Sequence, residues 1–541
     1  MPGWLSNLVP IVLLLGVIAL VLWRLPKVDL GHSDAFKRRR FWNWFPLGLT
    51  YAFLYFGRYN VNALTSALGS KTDNKAFGII FAAGTLVYGI SFVINGPLTD
   101  RLGGRFTTLL SAGGAAVANL LMAGLVYLNV AEGLVPPGGL VLWLAIFYSL
   151  DMYFQSFGAV SIVKVNAAWF HVRERGVQGG VFGILISLGI YFGYDWSRAI
   201  AKGMPTSPWM VALIPGLVLI AATILSFFTV RDTPGDTGHP DFDVGDVGES
   251  GDHAAIPAAF SAVGAILVQA VLLLGVTGIS WSIYETLKPE ELLAEGIRST
   301  PTGAPWWVFV LPALVFFVPT RRASVSAMAT NVGRVFLRML SNPIIMVIVG
   351  IEFCTGFLRN GVMSWYPKFA ESVSLSDDFV SKNWGLLLCC FGIIGGMMAG
   401  VISDKIFHSR RGPVASVLYA GITLGAFAMY FTLATPMVGW VLVFMALNYV
   451  GVHGMLSGTA SADFGGKKNT GVAVGIIDGF VYLGTGLQSL LVGFLLPQGE
   501  AAKDANNWIN WPLAMVPVAI VGLVMCTRVW NAQPRGAAAA H

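Results

Sequence analysis

The chain has 541 residues, 55% of them hydrophobic and only 11% charged, with a mean hydropathy of +0.69. Soluble domains carry about 25% charged residues, so the composition excludes a soluble enzyme and indicates an all-α polytopic membrane protein. The net charge of +6 does not indicate nucleic acid, because the cations lie in loops between apolar stretches, where they orient a protein in the bilayer.

Residues 4–23 are the first apolar stretch. No positive charge precedes it, while Arg24, Lys27 and Lys37 to Arg40 follow, the reverse of a secretory signal. An uncleaved helix with its N-terminus outside is expected, and residues 1–41 read as this extra helix plus a basic cytoplasmic segment. Six spans of about 20 apolar residues come next, at 42–66, 77–98, 106–129, 139–163, 177–200 and 208–230, forming an N-terminal half over 42–230. Residues 231–255 are polar, acidic and Gly-rich, the composition of a linker. An inserted pair of spans follows at 256–280 and 305–320, so 231–341 reads as a cytoplasmic linker with an insert. Six more spans, at 342–366, 384–403, 413–433, 437–460, 471–494 and 509–528, form a C-terminal half over 342–541. Most of the 34 Lys and Arg then fall on the cytoplasmic side, as the positive-inside rule requires, and the C-terminus is cytoplasmic. Cys354, Cys389, Cys390 and Cys526 all lie in apolar spans and are expected to be small buried hydrophobes. No disulfide framework or metal signature is present.

The two halves echo each other. GPLTDRLGGR follows the second core span, and AGVISDKIFHSRR follows the eighth. Each has a small residue, then Asp-Arg or Asp-Lys, then further basic residues in a tight cytoplasmic turn. This pair resembles the loop motif of the major facilitator superfamily. The resemblance implies two six-helix halves rocking about a central cavity, with Asp100, Arg101, Arg105, Asp404 and Lys405 latching helix ends in one conformation.

A guanidinium at membrane depth costs several kcal/mol, yet Arg58 lies deep in the first core span and Arg359 at similar depth in the seventh. These spans are repeat equivalents, so the two residues are expected to face each other across the pseudo-two-fold axis, where transporters of this kind hold substrate. Arg offers a forked set of donors matched to phosphate or carboxylate oxygens, and two forks facing one cavity make a dianion site. Tyr55, Asn62, Tyr88, Gln155, Asn360 and His453 are the further candidate substrate contacts. Asp151, Glu352 and Asp478 also lie at depth and are candidates for coupling or counter-charge. Glu352 and Arg359, seven apart, share a helix face but are too distant for direct pairing. The third, sixth, ninth and twelfth core spans hold no ionisable residue away from their ends, which marks them as peripheral.

These residues resemble the organophosphate:phosphate antiporter family, the bacterial glycerol-3-phosphate and hexose-6-phosphate carriers. YFGRYNVNAL is similar to their first helix, and DMYFQSFGAVSIVKVNAAWFHVRERG to their fourth helix and loop. RDTPGDTGHP is similar to the segment ending their first half. FLRNGVMSWYPKF and GGKKNTGVAVGIIDGFVYLG resemble their seventh and eleventh helices. The resemblance covers both halves but not the N-terminal helix or the inserted pair. It implies that Arg58 and Arg359 grip a phosphoryl group and that inorganic phosphate is the exchange partner. Glycerol-3-phosphate carriers add a Lys on the second helix, where this chain has Phe92 after Tyr88, and a His on the fifth, where Ile186 falls. These departures count against glycerol 3-phosphate as the substrate.

The expected protein is therefore a monomeric exchanger in the cytoplasmic membrane, with a phosphate ester and inorganic phosphate as its small-molecule partners. No cofactor, metal or nucleic acid is expected, and there is no Ser-His-Asp order, HExxH or P-loop to support an enzyme. Two rival classes stay open. One is a proton-coupled symporter of an organic anion that uses Asp151 or Asp478. The other is a sugar-phosphate sensor that binds without flux.

Overall fold

Each apolar stretch of about 20 residues can satisfy its backbone in lipid only as a helix, and all the regular elements among the described residues of the computed structural model are helices. The structure describes residues 30–171, 174–242, 343–407, 410–460 and 470–531, with residues 12, 15–19 and 23 of the N-terminal segment. The inserted pair at 256–280 and 305–320 lies outside the described residues, as do the side chains of Asp100, Arg101 and Asp404.

The N-terminal half contains α1 (Asp34–Ala67), α2 (Asn74–Leu102), α3 (Gly104–Val130), α4 (Pro137–Trp169), α5 (Arg175–Tyr191) and α6 (Met210–Thr229). The α5 span runs on through a π-helical turn (Phe192–Trp196) into a short α segment (Ser197–Gly203). The C-terminal half contains α7 (Pro343–Met363), α8 (Trp384–Lys405), α9 (Arg411–Thr432), α10 (Met437–His453), α11 (Thr470–Leu495) and α12 (Asn510–Arg528). A short helix (Trp365–Ser372) continues α7, and a π-helical stretch (Gly454–Ala460) continues α10.

Ten of the helical spans are long and apolar enough to cross a membrane. The other two are α1, whose run is broken by Asn, Tyr and Arg58, and α5, whose regular part has 17 residues. The spans read from the sequence agree with these helices, except that α1 begins earlier. Ser33 accepts a hydrogen bond from Phe36 N and starts the helix there, so the basic cluster Lys37 to Arg40 is its first turns and not a loop.

The cytoplasmic end of the N-terminal half is clasped by its own loop segments. Asp232 accepts from Arg105 N at 2.8 Å and so caps the start of α3. Arg40 pairs with Glu174 at 2.9 Å. Asn43 donates to Arg231 O and accepts from Arg231 N, while Trp169 Nε1 donates to Arg231 O. The Arg105 guanidinium donates to Phe227 O at 2.9 Å, within its own half. Lys405 is exposed.

The halves meet along α2 against α11 and α5 against α8. Close approach needs glycine at two crossings of the bundle. A Cβ on Gly78 would lie 2.6 Å from Ser489 O, which joins α2 to α11. A Cβ on Gly356 would overlap Val481 O, which joins α7 to α11 beside the site. Val17 and Ile18 of the N-terminal segment pack on a cluster of Ile184, Leu386, Cys389, Cys390 and Ile393 that spans α5 and α8. All four cysteines are buried.

Candidate functional site

The site is built from side chains repeating on helix faces. On α1, Tyr51, Tyr55, Arg58, Tyr59 and Asn62 fall at helical spacing and so share one face. Arg58 is 1% exposed. Its Nε donates to Gln155 Oε1 at 2.9 Å, Nη1 to Tyr482 OH at 2.7 Å and Nη2 to Tyr88 OH at 3.3 Å. Its guanidinium carbon lies 4.7 Å from the Tyr55 ring centroid and 4.5 Å from that of Tyr88. All these partners are neutral.

Arg359 is partly exposed and lies 5.4 Å from the Tyr482 ring centroid. Arg58 lies 5.7 Å from the same centroid. One α11 tyrosine is therefore shared by two guanidinium groups, one from each half. Among the described residues, neither Arg has a carboxylate partner, and Arg359 has no hydrogen-bond acceptor. An unpaired charge in a low-dielectric interior is costly, so the pair is poised for an anion. A void of about 10 Å³ lies between Arg58, Arg359, Phe81, Thr85, Asn360 and Tyr482. That is the space one water requires, so an organic ligand must enlarge it or enter from elsewhere.

Asp151 is wholly buried and does not touch Arg58. Its Oδ2 accepts from Gln155 Nε2 at 2.7 Å and its Oδ1 from Asn119 Nδ2 at 3.1 Å. Asn119 in turn accepts from Asn60 at 2.7 Å. Gln155 is thus a relay between the carboxylate and the guanidinium, with both ends of its amide fixed. In the C-terminal half, Glu352 is also wholly buried, with one oxygen 3.0 Å from His453 Nδ1. Asp478 accepts from Ser457 Oγ. Asn360 lines the void, but its amide is held by Gln488, Ser489 and Ser364. Asn62 donates to Tyr59 O on its own helix and does not line the void.

Sequence reading placed Arg58, Tyr55, Tyr88 and Gln155 together, and the structure brings all four into one cluster. It missed Tyr482 and Asn119. Tyr482 was visible as part of the YLG motif and one turn from Asp478. Asn119 gives no signal, since it is a single polar residue on a helix of the peripheral set.

The bundle end assigned to the outside is sealed. Asp195, on the π-helical turn after α5, accepts from Gly385 N at 2.8 Å and Leu386 N at 2.9 Å, capping α8 from the opposite half. Arg198 binds Ser381 O and Ser376 O in the loop before α8. Asn74 donates to Pro497 O at 2.8 Å, and Phe77 meets Trp365 edge-on at 5.1 Å. These hydrogen bonds between the halves lie at Arg58–Tyr482 or further outward. Arg359, His453 and Asp478 are partly exposed.

Residues 47–489 match the family model of the Major Facilitator Superfamily. The chain is 22% identical over 525 residues to the glycerol-3-phosphate transporter of Bacillus subtilis, covering 94% of this chain and 96% of that protein. It is 24% identical to the membrane sensor protein UhpC of Salmonella typhimurium, covering 85% and 86%. It is 23% identical to a probable hexose phosphate transport protein of Chlamydia pneumoniae, covering 92% and 93%. Among solved structures, it is similar to an inward-facing bacterial homologue of the lysosomal transporter Spinster (TM-score 0.57, 12% identity, 93% and 98% covered). It is also similar to the xylose transporter XylE of Escherichia coli (TM-score 0.55, 12% identity, 92% and 98% covered).

Proposed function

Since the chain belongs to the major facilitator superfamily, whose members among its relatives handle phosphorylated compounds, we propose that it exchanges a phosphate ester for inorganic phosphate by alternating access. The observation that carries this reading is the pair of guanidinium groups without carboxylates, one per half, on the shared Tyr482. A phosphoryl group entering there replaces the Tyr482 hydroxyl as acceptor for Arg58 and supplies the acceptor that Arg359 lacks. It bridges the halves and neutralises two like charges that otherwise resist closure.

Differential affinity for the closed state is what drives the conformational change. An empty site keeps its repulsion, so the unloaded carrier reorients slowly and exchange results. Asp151 fixes Gln155 and through it the orientation of the Arg58 fork. The protein lies in the cytoplasmic membrane with its N-terminus outside and acts as a monomer.

Proteoliposomes loaded with radioactive phosphate test this. Label should leave only when a phosphate ester or phosphate is added outside. Uptake driven by an imposed pH gradient without internal phosphate would instead establish a symporter. The similarity to a membrane sensor protein supports a second reading, a receptor for the same ligand. Tight ester binding with no efflux of label would select it.

A further inference from the structure

We propose that the cytoplasmic end of the α3–α6 face binds one anionic phospholipid, with an acyl chain in the groove between the two helices and the phosphodiester on Arg39, Arg105 and Arg231. This site shares no residue with the Arg58–Arg359 cluster.

Charge is the first ground. Three guanidinium groups converge on the last turn of α6. Arg39 donates to Thr229 O at 2.8 Å, Arg105 to Phe227 O at 2.9 Å, and Arg231 to Phe227 O at 3.1 Å and Val230 O at 2.8 Å. All of these acceptors are backbone carbonyls. Among the described residues, none of the three arginines has a carboxylate partner. Asp232 lies beside them, but its Oδ1 accepts from Arg105 N. A helix C-terminus carries about half an elementary negative charge, so together with Asp232 it offsets only about half of the three positive charges. All three arginines are partly exposed, so a ligand can reach them.

The groove is the second ground. Leu109 on α3 and Thr223, Ile224, Phe227 and Phe228 on α6 line a cavity of about 460 Å³. Its walls are hydrocarbon apart from Thr223, whose hydroxyl is turned back onto Leu219 O at 2.7 Å. Phe228 is 69% exposed on the bundle surface, where lipid would cover it. Phe227 joins the two parts. Its ring walls the groove with the Arg105 guanidinium carbon 5.3 Å from the ring centroid, and its carbonyl holds Arg105 and Arg231. The arginines therefore stand where the chain leaves the membrane, at headgroup depth, with the groove in the hydrocarbon beside them.

This arrangement selects the occupant. A free anion would meet the arginines and leave the groove empty. A neutral lipid would fill the groove and leave the charge unbalanced. An anionic phospholipid satisfies both, and basic pockets between membrane helices on the cytoplasmic side suit such headgroups.

Native mass spectrometry tests this on the full chain, released from detergent holding equal amounts of phosphatidylglycerol and phosphatidylcholine with the same acyl chains. One phosphatidylglycerol should stay bound, favoured roughly tenfold over phosphatidylcholine, the effect of one charge-assisted hydrogen bond. In Arg39→Gln/Arg231→Gln that preference should fall close to even. Ile224→Trp fills the groove without touching the charges and should also release phosphatidylglycerol. Equal retention of the two lipids by the wild type would overturn the proposal. So would unchanged phosphatidylglycerol retention in either variant, or its displacement from the wild type by excess inorganic phosphate, which would mark a site for the free anion. Should the arginine variant fail to stay monodisperse, the wild type and Ile224→Trp decide the matter.

Discussion

Arg58 differs from an ordinary buried cation in the neutrality of everything it touches. Gln155, Tyr482 and Tyr88 take its protons, and the nearest fixed carboxylate in its network, Asp151, acts through Gln155. Asp151→Asn should therefore weaken the orientation of the fork without abolishing the site. Loss of one such bond is worth about 1 kcal/mol, so the concentration for half-maximal phosphate exchange should rise roughly fivefold while the maximal rate holds. Measuring both parameters separates this from a proton carrier, whose loss would stop gradient-driven uptake and leave equilibrium exchange intact.

The arginine pair and its α1 partners were legible in the sequence because charge at membrane depth is rare and helical spacing places Tyr55 beside Arg58. The route from Asp151 to Arg58 was not legible. It depends on an amide four residues away and on Asn119 from a helix with no ionisable marker. The pairing of His453 with Glu352 was likewise hidden, since their helices, α7 and α10, are far apart in sequence.

The two halves are joined at the outer end by a few polar contacts. Asp195 and Arg198 sit one turn apart at the end of the α5 span and bind the start of α8 and the loop before it. A carboxylate on two free N–H groups at a helix N-terminus is also favoured by the helix dipole. The role of Asp195 depends on a π-helical turn that FGYDW does not announce.

Asp195→Asn with Arg198→Ala should destabilise the outward-sealed state. A Thr485→Cys probe, whose position is 3% exposed in this state, should then react with an impermeant maleimide added outside. The rate should be at least roughly tenfold faster than with the seal intact. Unchanged labelling would remove these residues from the gate. Nearer the site, Gly356→Ala sets a methyl against Val481 O. Overpacking of this kind costs about 1–3 kcal/mol, and the thermal denaturation midpoint in detergent should fall accordingly.

The duplicated architecture explains how one chain brings two arginines, one from each half, to the same tyrosine. The fold was readable because span lengths, loop charge and the repeated Asp-Arg/Lys turns agree with one another. The start of α1 was misjudged because Ser33 and the basic turn after it extend the helix beyond the membrane. The segments outside the repeats have a different standing. Val17 and Ile18 lie on the α5–α8 seam between the halves. The inserted pair read from the sequence lies between the two repeats in the chain, and we expect it at the periphery. Deleting residues 241–320 and joining the ends with a polar linker should preserve phosphate binding by isothermal calorimetry. Loss of binding by a deletion that stays monodisperse would place the insert in the site.

The central claim is that two forks, one from each half, grip a phosphoryl group. Phosphate self-exchange in proteoliposomes by the wild type, Arg58→Lys and Arg359→Lys tests it most directly. Lysine keeps the charge but cannot supply the planar bidentate donors, and loss of a charge-assisted bond or two is worth about 1.5–3 kcal/mol each. The account predicts that each variant loses roughly 100-fold or more of the exchange rate while remaining folded and membrane-inserted. Near wild-type exchange by either variant would contradict it.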